Sequence, residues 1–245
     1  MKNLGAALAT ALVLALVLVQ PFAGRRRYRR LSATADADPG ARRRHYLRGI
    51  LGEWLAVAVI ILVGVLTGRR AASTGLTGGS HRLGAVLSVT VAAAVLAVSA
   101  LAFRAGGEAM RDALRRQARG FRALLPRTRS EKLLFIGYAL TAGVCEELMF
   151  RGFGFAYLRW LWPSASGAAV VIVTAAAFGV VHWYQGPRGV LVAGAVGIVL
   201  GWVTVVTGTL LPAMAMHALM DLRILALPNL ALPNVEPEAE LSGLP

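Results

Sequence analysis

Long apolar runs separated by arginine-rich links constrain this chain more than any other feature. Residues 4–22, 51–66, 83–103, 133–162, 167–183, 189–206 and 210–227 are each predominantly apolar. Their lengths approach or exceed what a helix needs to cross a bilayer's hydrocarbon core. The chain is 57% hydrophobic, above the roughly 45–50% usual for soluble domains. The expected fold class is therefore all-α: a polytopic transmembrane helical bundle of about seven spans, with the chemistry-bearing core in the last four.

The net charge of +14 would suggest nucleic acid in a soluble protein. Here the arginines sit in links between apolar runs, where anionic lipid head groups meet them. No nucleic-acid motif accompanies them, so the expected partners are membrane lipids and not nucleic acid. The first link carries nine Lys and Arg, the second three and the third nine. The positive-inside rule places the heavy links in the cytoplasm. That gives an integral membrane protein of the plasma membrane, with its N-terminus outside and its C-terminus cytoplasmic. No small-x-small cleavage site follows residues 4–22, so they read as a retained span.

Three regions follow. Residues 1–131 form N-terminal accessory spans and a basic amphipathic helix at the membrane interface. In the latter, Met110, Ala113, Leu114, Ala118, Phe121 and Leu125 recur at helical spacing over 104–132. Residues 132–227 form the catalytic core. Residues 228–245, with four prolines and three glutamates, read as a disordered tail. Residues 67–82 read as a loop, and Ser80 and His81 in it as solvated polar residues. Glu53, near the start of the second span, reads as solvated at the interface. Cys145, the one cysteine, reads as a small buried side chain, since neighbouring carboxylates disfavour a thiolate.

The polar residues inside the apolar runs are few: Glu146, Glu147 and Arg151 in the fourth, His182 at the end of the fifth, and His217 and Asp221 in the seventh. A charge at mid-membrane costs about 2.5–3.5 kcal/mol on insertion scales, so these residues call for a chemical explanation. Glu147 and Arg151 are four apart in the favourable order for an ion pair along a helix. That leaves Glu146, about 100° round the helix, for other work. His217 and Asp221 share a face, so the carboxylate can orient the imidazole. Phe178 and His182 share a face as well. Two chemistries fit: Glu146 as a general base on water with the histidines stabilising an oxyanion, or His182, His217 and a carboxylate holding Zn²⁺. Either hydrolyses an amide. The rivals are a non-catalytic membrane protein and a small transporter whose charges line a pathway.

Glu146-Glu147-x-x-x-Arg151, Phe178-x-x-x-His182 and His217-x-x-x-Asp221, in this order, resemble the motifs of the CAAX-protease and bacteriocin-processing (CPBP, Abi) family of intramembrane endopeptidases. The glycine-rich approach through Gly197, Gly201 and Gly208 is similar too. The resemblance covers roughly residues 132–221. It implies a CAAX-type glutamic endopeptidase or metalloendopeptidase. Glu146 would activate water. His182, His217 and Asp221 would polarise the scissile carbonyl or hold a metal, and Glu147, Arg151 and Phe178 would support the site. The endopeptidase would act on a peptide or protein substrate, whereas the non-catalytic rival would use the same fold for bacteriocin self-immunity or to scaffold a partner. Eukaryotic prenyl-protein members carry Asn at the last position; Asp221 departs from that and either favours a metal or orients His217.

Overall fold

The computed structural model describes residues 2–66 and 122–226, with a few isolated helical positions between 86 and 108. The expected loop 67–82, most of the third span, the body of the amphipathic helix and the tail lie outside the described residues. Every regular element among the described residues is a helix, and no strand occurs among them.

Helices α1 (Lys2–Leu14) and α2 (Gln20–Thr34) are joined through a π-helical turn, Ala15–Val19. That turn lies just ahead of Pro21, which has no N–H to donate to the preceding turn. A short turn leads to α3 (Ala41–Leu66). Next come α4 (Arg129–Glu147), a π-helical turn Leu148–Phe153, and α5 (Gly154–Leu161), one continuous rod. α6 (Gly167–Val181), α7 (Gly186–Thr207) and α8 (Leu211–Ala226) complete the order. Among the described residues four stretches are long and apolar enough to cross a membrane: Gly5–Thr34, Ala41–Leu66, Arg129–Leu161 and Trp183–Thr207. α6 and α8, at 15 and 16 residues, are shorter than the usual span. Outer faces are apolar: Leu51, Val65 and Leu191 are each at least 70% exposed, a pattern suited to lipid rather than water.

The amphipathic helix expected over 104–132 does not reach 132. Residues 122–124 make a single 3₁₀ turn, Pro126 interrupts the chain, and α4 starts afresh at Arg129. Its start is a capping box. Thr128 Oγ1 accepts from the Glu131 amide at 3.2 Å, and Glu131 Oε2 accepts from the Thr128 amide at 3.1 Å. Two otherwise unpaired donors are thereby satisfied.

The two arginine-rich links meet on one face. Buried Arg42 donates to the carbonyls of Ala35 and Ala123 at 2.7 and 3.1 Å, and Tyr46 donates its hydroxyl to Leu124 O at 2.6 Å. Asp36 gathers Arg42, Arg122 and Arg127. Burial opposes ionisation of Asp36, but these arginines outweigh it and hold its carboxyl below its ordinary value. The tie is therefore complete above the ordinary carboxylate range and is lost as pH falls through the lowered folded-state value. Amide exchange at 35–42 and 122–128 should accelerate below about pH 4.

Helix lengths set the depth of the chemistry. Glu146 and Leu161 are 15 residues apart along one rod, about 22 Å. The 162–166 turn reverses the chain, and α6 returns over 15 residues to end beside His182. A short α6 thus brings His182 back to the height of Glu146. α4 and α8 are in close contact at Gly143, where an added Cβ would lie 2.7 Å from Ala218 N. Gly143→Ala should destabilise the protein by about 1–3 kcal/mol, read as a lowered Tm in detergent. Gly137→Ala, whose Cβ would meet only Ile50 Cδ1 at 3.8 Å, should be tolerated.

Candidate active site

The site grows from the end of α4. Glu147 is fully buried, and its Oε1 accepts from Arg151 Nη1 at 2.8 Å. The spacing predicts this pair. The same oxygen accepts from His217 Nδ1 at 2.8 Å, a contact across 70 residues of sequence that spacing does not reveal. Arg151 sends its other terminal nitrogen to Gly197 O at 2.9 Å. Its guanidinium lies 4.5 Å from the Phe178 ring centroid, within cation–π range. Gly197 permits this approach: a Cβ there would stand 3.2 Å from Arg151 Nη2. One ion pair thus connects α4, the π-helical turn, α6, α7 and α8.

Phe178 lies between both imidazoles, with ring centroids 4.6 Å from His182 and 5.6 Å from His217. His182 Nδ1 is 2.8 Å from the Phe178 carbonyl. A carbonyl only accepts, so this nitrogen carries the proton and donates. His217 Nδ1 donates to the Glu147 carboxylate for the same reason. Both Nε2 atoms then face Glu146 Oε2, at 3.9 Å from His182 and 4.0 Å from His217. That oxygen is buried and has no hydrogen-bond partner among the described residues.

Asp221 behaves differently from its expected role. It is partly exposed, and its Oδ2 is 4.0 Å from His217 Nε2, too far for a hydrogen bond. The group that orients His217 is Glu147 on another helix, not Asp221 one turn away. Cys145 is buried and free, as its setting predicts. Ser80 and His81 lie outside the described residues.

His182, His217 and Asp221 are also the residues that would hold a zinc ion. Two ligands at about 2.1 Å from a tetrahedral zinc stand roughly 3.4 Å apart, closer than the 4.0 Å between His217 Nε2 and Asp221 Oδ2. Among the described residues no three His, Cys, Asp or Glu side chains are placed to hold a metal ion. His217 and Asp221 thus stand wider apart than two ligands of a tetrahedral zinc. The spacing of Glu146 Oε2 from each imidazole does suit one water that hydrogen-bonds a carboxylate oxygen and an imidazole nitrogen at about 2.8 Å each.

Glu53 corrects the sequence reading. Rather than being solvated at the interface, its Oε2 is buried without a hydrogen-bond partner among the described residues. It lines the same cavity of about 480 Å³ as Glu146 and His182. Tyr138 and Tyr184 also line this cavity and were not singled out. One signal was available. Cavity-lining residues of α3 recur every three or four positions, and that period could have marked an inward face.

Residues 128–223 match the family model described as type II CAAX prenyl endopeptidase Rce1-like. That segment is similar to this family. No curated protein and no solved structure matches the chain. The match and the apolar helices together support an integral membrane protein of the CAAX-protease type, a hydrolase acting on a peptide or protein in a lipid setting.

Removing one partner of a buried ion pair leaves an uncompensated charge and costs about 3–5 kcal/mol. Arg151→Met should lose stability on that scale in detergent denaturation. Adding Glu147→Gln should recover much of it, because no buried charge is then left alone.

Proposed function

We propose that this chain is an intramembrane endopeptidase in which Glu146 activates the attacking water. The observation that carries the reading is the buried, unpartnered Glu146 Oε2 facing two imidazole nitrogens at 3.9 and 4.0 Å. A water between them donates one hydrogen to the carboxylate and the other to an imidazole. As its oxygen adds to the scissile carbonyl carbon, Glu146 takes the first proton. Glu146 then returns that proton to the departing amide nitrogen as the C–N bond breaks, and the proton left on the new carboxyl group passes to the adjacent imidazole, leaving a carboxylate and an amine. Positioned acid–base groups of this kind contribute about 10²–10⁴-fold.

His182 and His217 orient the water and, when protonated at Nε2, donate to the oxyanion that forms on the carbonyl. Glu147 and the Phe178 carbonyl hold the two rings by Nδ1, so each presents Nε2. Arg151 positions Glu147, and Phe178 separates the rings and limits their hydration. Asp221 lies at the edge of this group and adds negative charge near His217 without orienting it.

The meeting of both arginine-rich links on one face supports assigning that face to the cytoplasm of a plasma-membrane protein. The C-terminus then emerges on the cytoplasmic side and the N-terminus outside. Glu146 lies 17 residues, about 25 Å, along α4 from Arg129. The cavity bridges that depth, since Leu124 and Thr34 line it near the links and Glu146 and His182 line it within. Water and substrate therefore reach the site from the arginine-rich face.

Glu146→Gln keeps the size of the side chain and removes the base. Cleavage of a membrane-anchored reporter by the purified, reconstituted protein should fall at least about 100-fold while Tm is retained. Survival of cleavage in that variant would refute the reading. So would stoichiometric zinc that is lost together with activity in His182→Ala.

A further inference from the structure

Resting on the endopeptidase reading, we infer that Glu53 of α3, together with Tyr138 and Tyr184, holds the substrate backbone beside Glu146. The Glu53 carboxyl accepts one backbone N–H about two residues from the cleaved bond, and the two phenols donate to backbone carbonyls. The ligand is an extended peptide with a free N–H at that position, so proline is rejected there. α3 lies outside the matched segment 128–223 and thus supplies a substrate contact as well as packing.

The demand arises from the substrate. A backbone segment laid open for hydrolysis carries N–H and C=O groups that no helix pairs. Away from bulk water each such group is costly to leave without a partner, so the cavity has to replace the lost hydrogen bonds. Glu146, His182 and His217 are engaged with the attacking water and the reacting carbonyl. The neighbouring peptide units need other side chains.

Three side chains have that capacity unspent. Glu53, Tyr138 and Tyr184 line the cavity with Glu146 and His182. Glu53 Oε2 has no hydrogen-bond partner among the described residues, and a carboxyl oxygen accepts whether or not the group is ionised. A carboxyl group placed within an apolar helix and used by nothing in the fold calls for an outside partner. The Tyr184 hydroxyl accepts from Gln185 Nε2 at 3.0 Å, so its own hydrogen remains to be donated. The Tyr138 ring packs against Tyr46 and Phe135, and its hydroxyl has no hydrogen-bond partner among the described residues. The charge of Glu53 acts on both phenols, so the three groups share one region. Together they offer an acceptor and two donors, the complement of an extended backbone.

α3 and α4 rise side by side, which sets the register. Tyr46 meets Phe135 with ring centroids 5.7 Å apart. One turn on, an added Cβ at Gly49 would run into the Tyr138 ring. Val57 belongs to the same buried cluster as Cys145. Glu53 is four residues from Gly49 and four from Val57. It therefore stands between the level of Tyr138 and that of Cys145 and Glu146, about 6 Å from each. An extended peptide advances about 3.3 Å per residue. An N–H bonded to Glu53 is thus about two residues from the bond at Glu146, and a carbonyl at Tyr138 about four. Tyr184 lines the same space from the 3₁₀ turn Trp183–Gln185, with His182 and Tyr28 at 5.9 and 5.7 Å between ring centroids.

The test uses the full-length protein in nanodiscs and a membrane-anchored fluorogenic peptide. In a series of this peptide, one backbone amide at a time is replaced by an ester over the four residues on either side of the cleaved bond, which itself stays an amide. Each replacement removes a single N–H and keeps every side chain. At one position about two residues from the cleaved bond, the amide should exceed the ester in kcat/KM by about tenfold, the scale of one hydrogen bond to a carboxylate. Proline at that position should be cleaved no faster than the ester. In Glu53→Leu the ratio should fall to about one. Glu53→Gln, whose side-chain carbonyl still accepts, should keep a preference for the amide. A ratio measured within one variant does not depend on how much of that variant is folded. Tyr138→Phe and Tyr184→Phe should each raise KM about threefold and leave the amide-over-ester ratio in place.

Equal turnover across the ester series, or a ratio that survives Glu53→Leu, would overturn the proposal. So would loss of cleavage of amide and ester alike in Glu53→Gln, which would make Glu53 a proton carrier rather than a backbone acceptor. Tyrosine variants with unchanged KM would remove the phenols from it. If the unaltered protein cleaves none of the peptides, the endopeptidase reading fails on its own. Fluorescence anisotropy of the same peptides then decides the backbone contact: an amide-over-ester Kd ratio of the same size at one position, lost in Glu53→Leu, supports it, and equal Kd values throughout overturn it.

Discussion

A carboxylate and a guanidinium that must stay together out of water organise this protein. Glu147 and Arg151 are both fully buried and joined at 2.8 Å. Such a pair contributes little net stability, because desolvation offsets much of the attraction. What it imposes is geometry. Glu147 Oε1 has a second donor, His217, and Arg151 has a second acceptor, the Gly197 carbonyl. Neither contact can slip without leaving a buried polar group unpaired. α7 and α8 are therefore held in one register against α4, and α6 is held through the Phe178 ring beside the guanidinium.

This arrangement explains how two adjacent glutamates come to differ. Glu147 turns into the helical core, where a cation and an imidazole use its oxygen. Glu146, one residue earlier and about 100° away, turns toward the cavity, where both imidazoles stand 3.9 and 4.0 Å from its Oε2, beyond hydrogen-bond distance. The π-helical turn begins at Leu148, immediately after this pair. Such turns recur at functional sites, and here one carries Arg151. The neutralised carboxylate positions the histidine, and the free one faces it.

Much of this was legible in the sequence, and the misses share a cause. The apolar runs and their order are strong local signals, as is the four-residue spacing of Glu147 and Arg151. Spacing within a helix nominates Asp221, one turn away, as the partner of His217. The tertiary contact from Glu147 is closer and forms instead of a hydrogen bond to Asp221. Glu53 looked solvated because sequence gives its approximate depth but not what covers it. The end of the amphipathic stretch was readable, since Pro126 and the Thr128–Glu131 box announce a new helix start. A helical period that ran across them drew the boundary too late.

The height of His182 shows how length alone resolves a topological conflict. Counted from the arginine-rich face, Glu146 lies deep along α4, whereas a full-length span would carry His182 back to that face. α6 stops after 15 residues. His182 then closes the helix, its amide accepted by Gly179 O at 3.0 Å and its ring bonded to the Phe178 carbonyl. The residue that ends the helix is held by the last turn of that same helix. Because that carbonyl only accepts, the proton is held on Nδ1 and Nε2 is left facing Glu146. A truncated helix thus supplies the depth, the orientation and the tautomer of one imidazole at once. Glu147 does the same for the other imidazole from across the bundle.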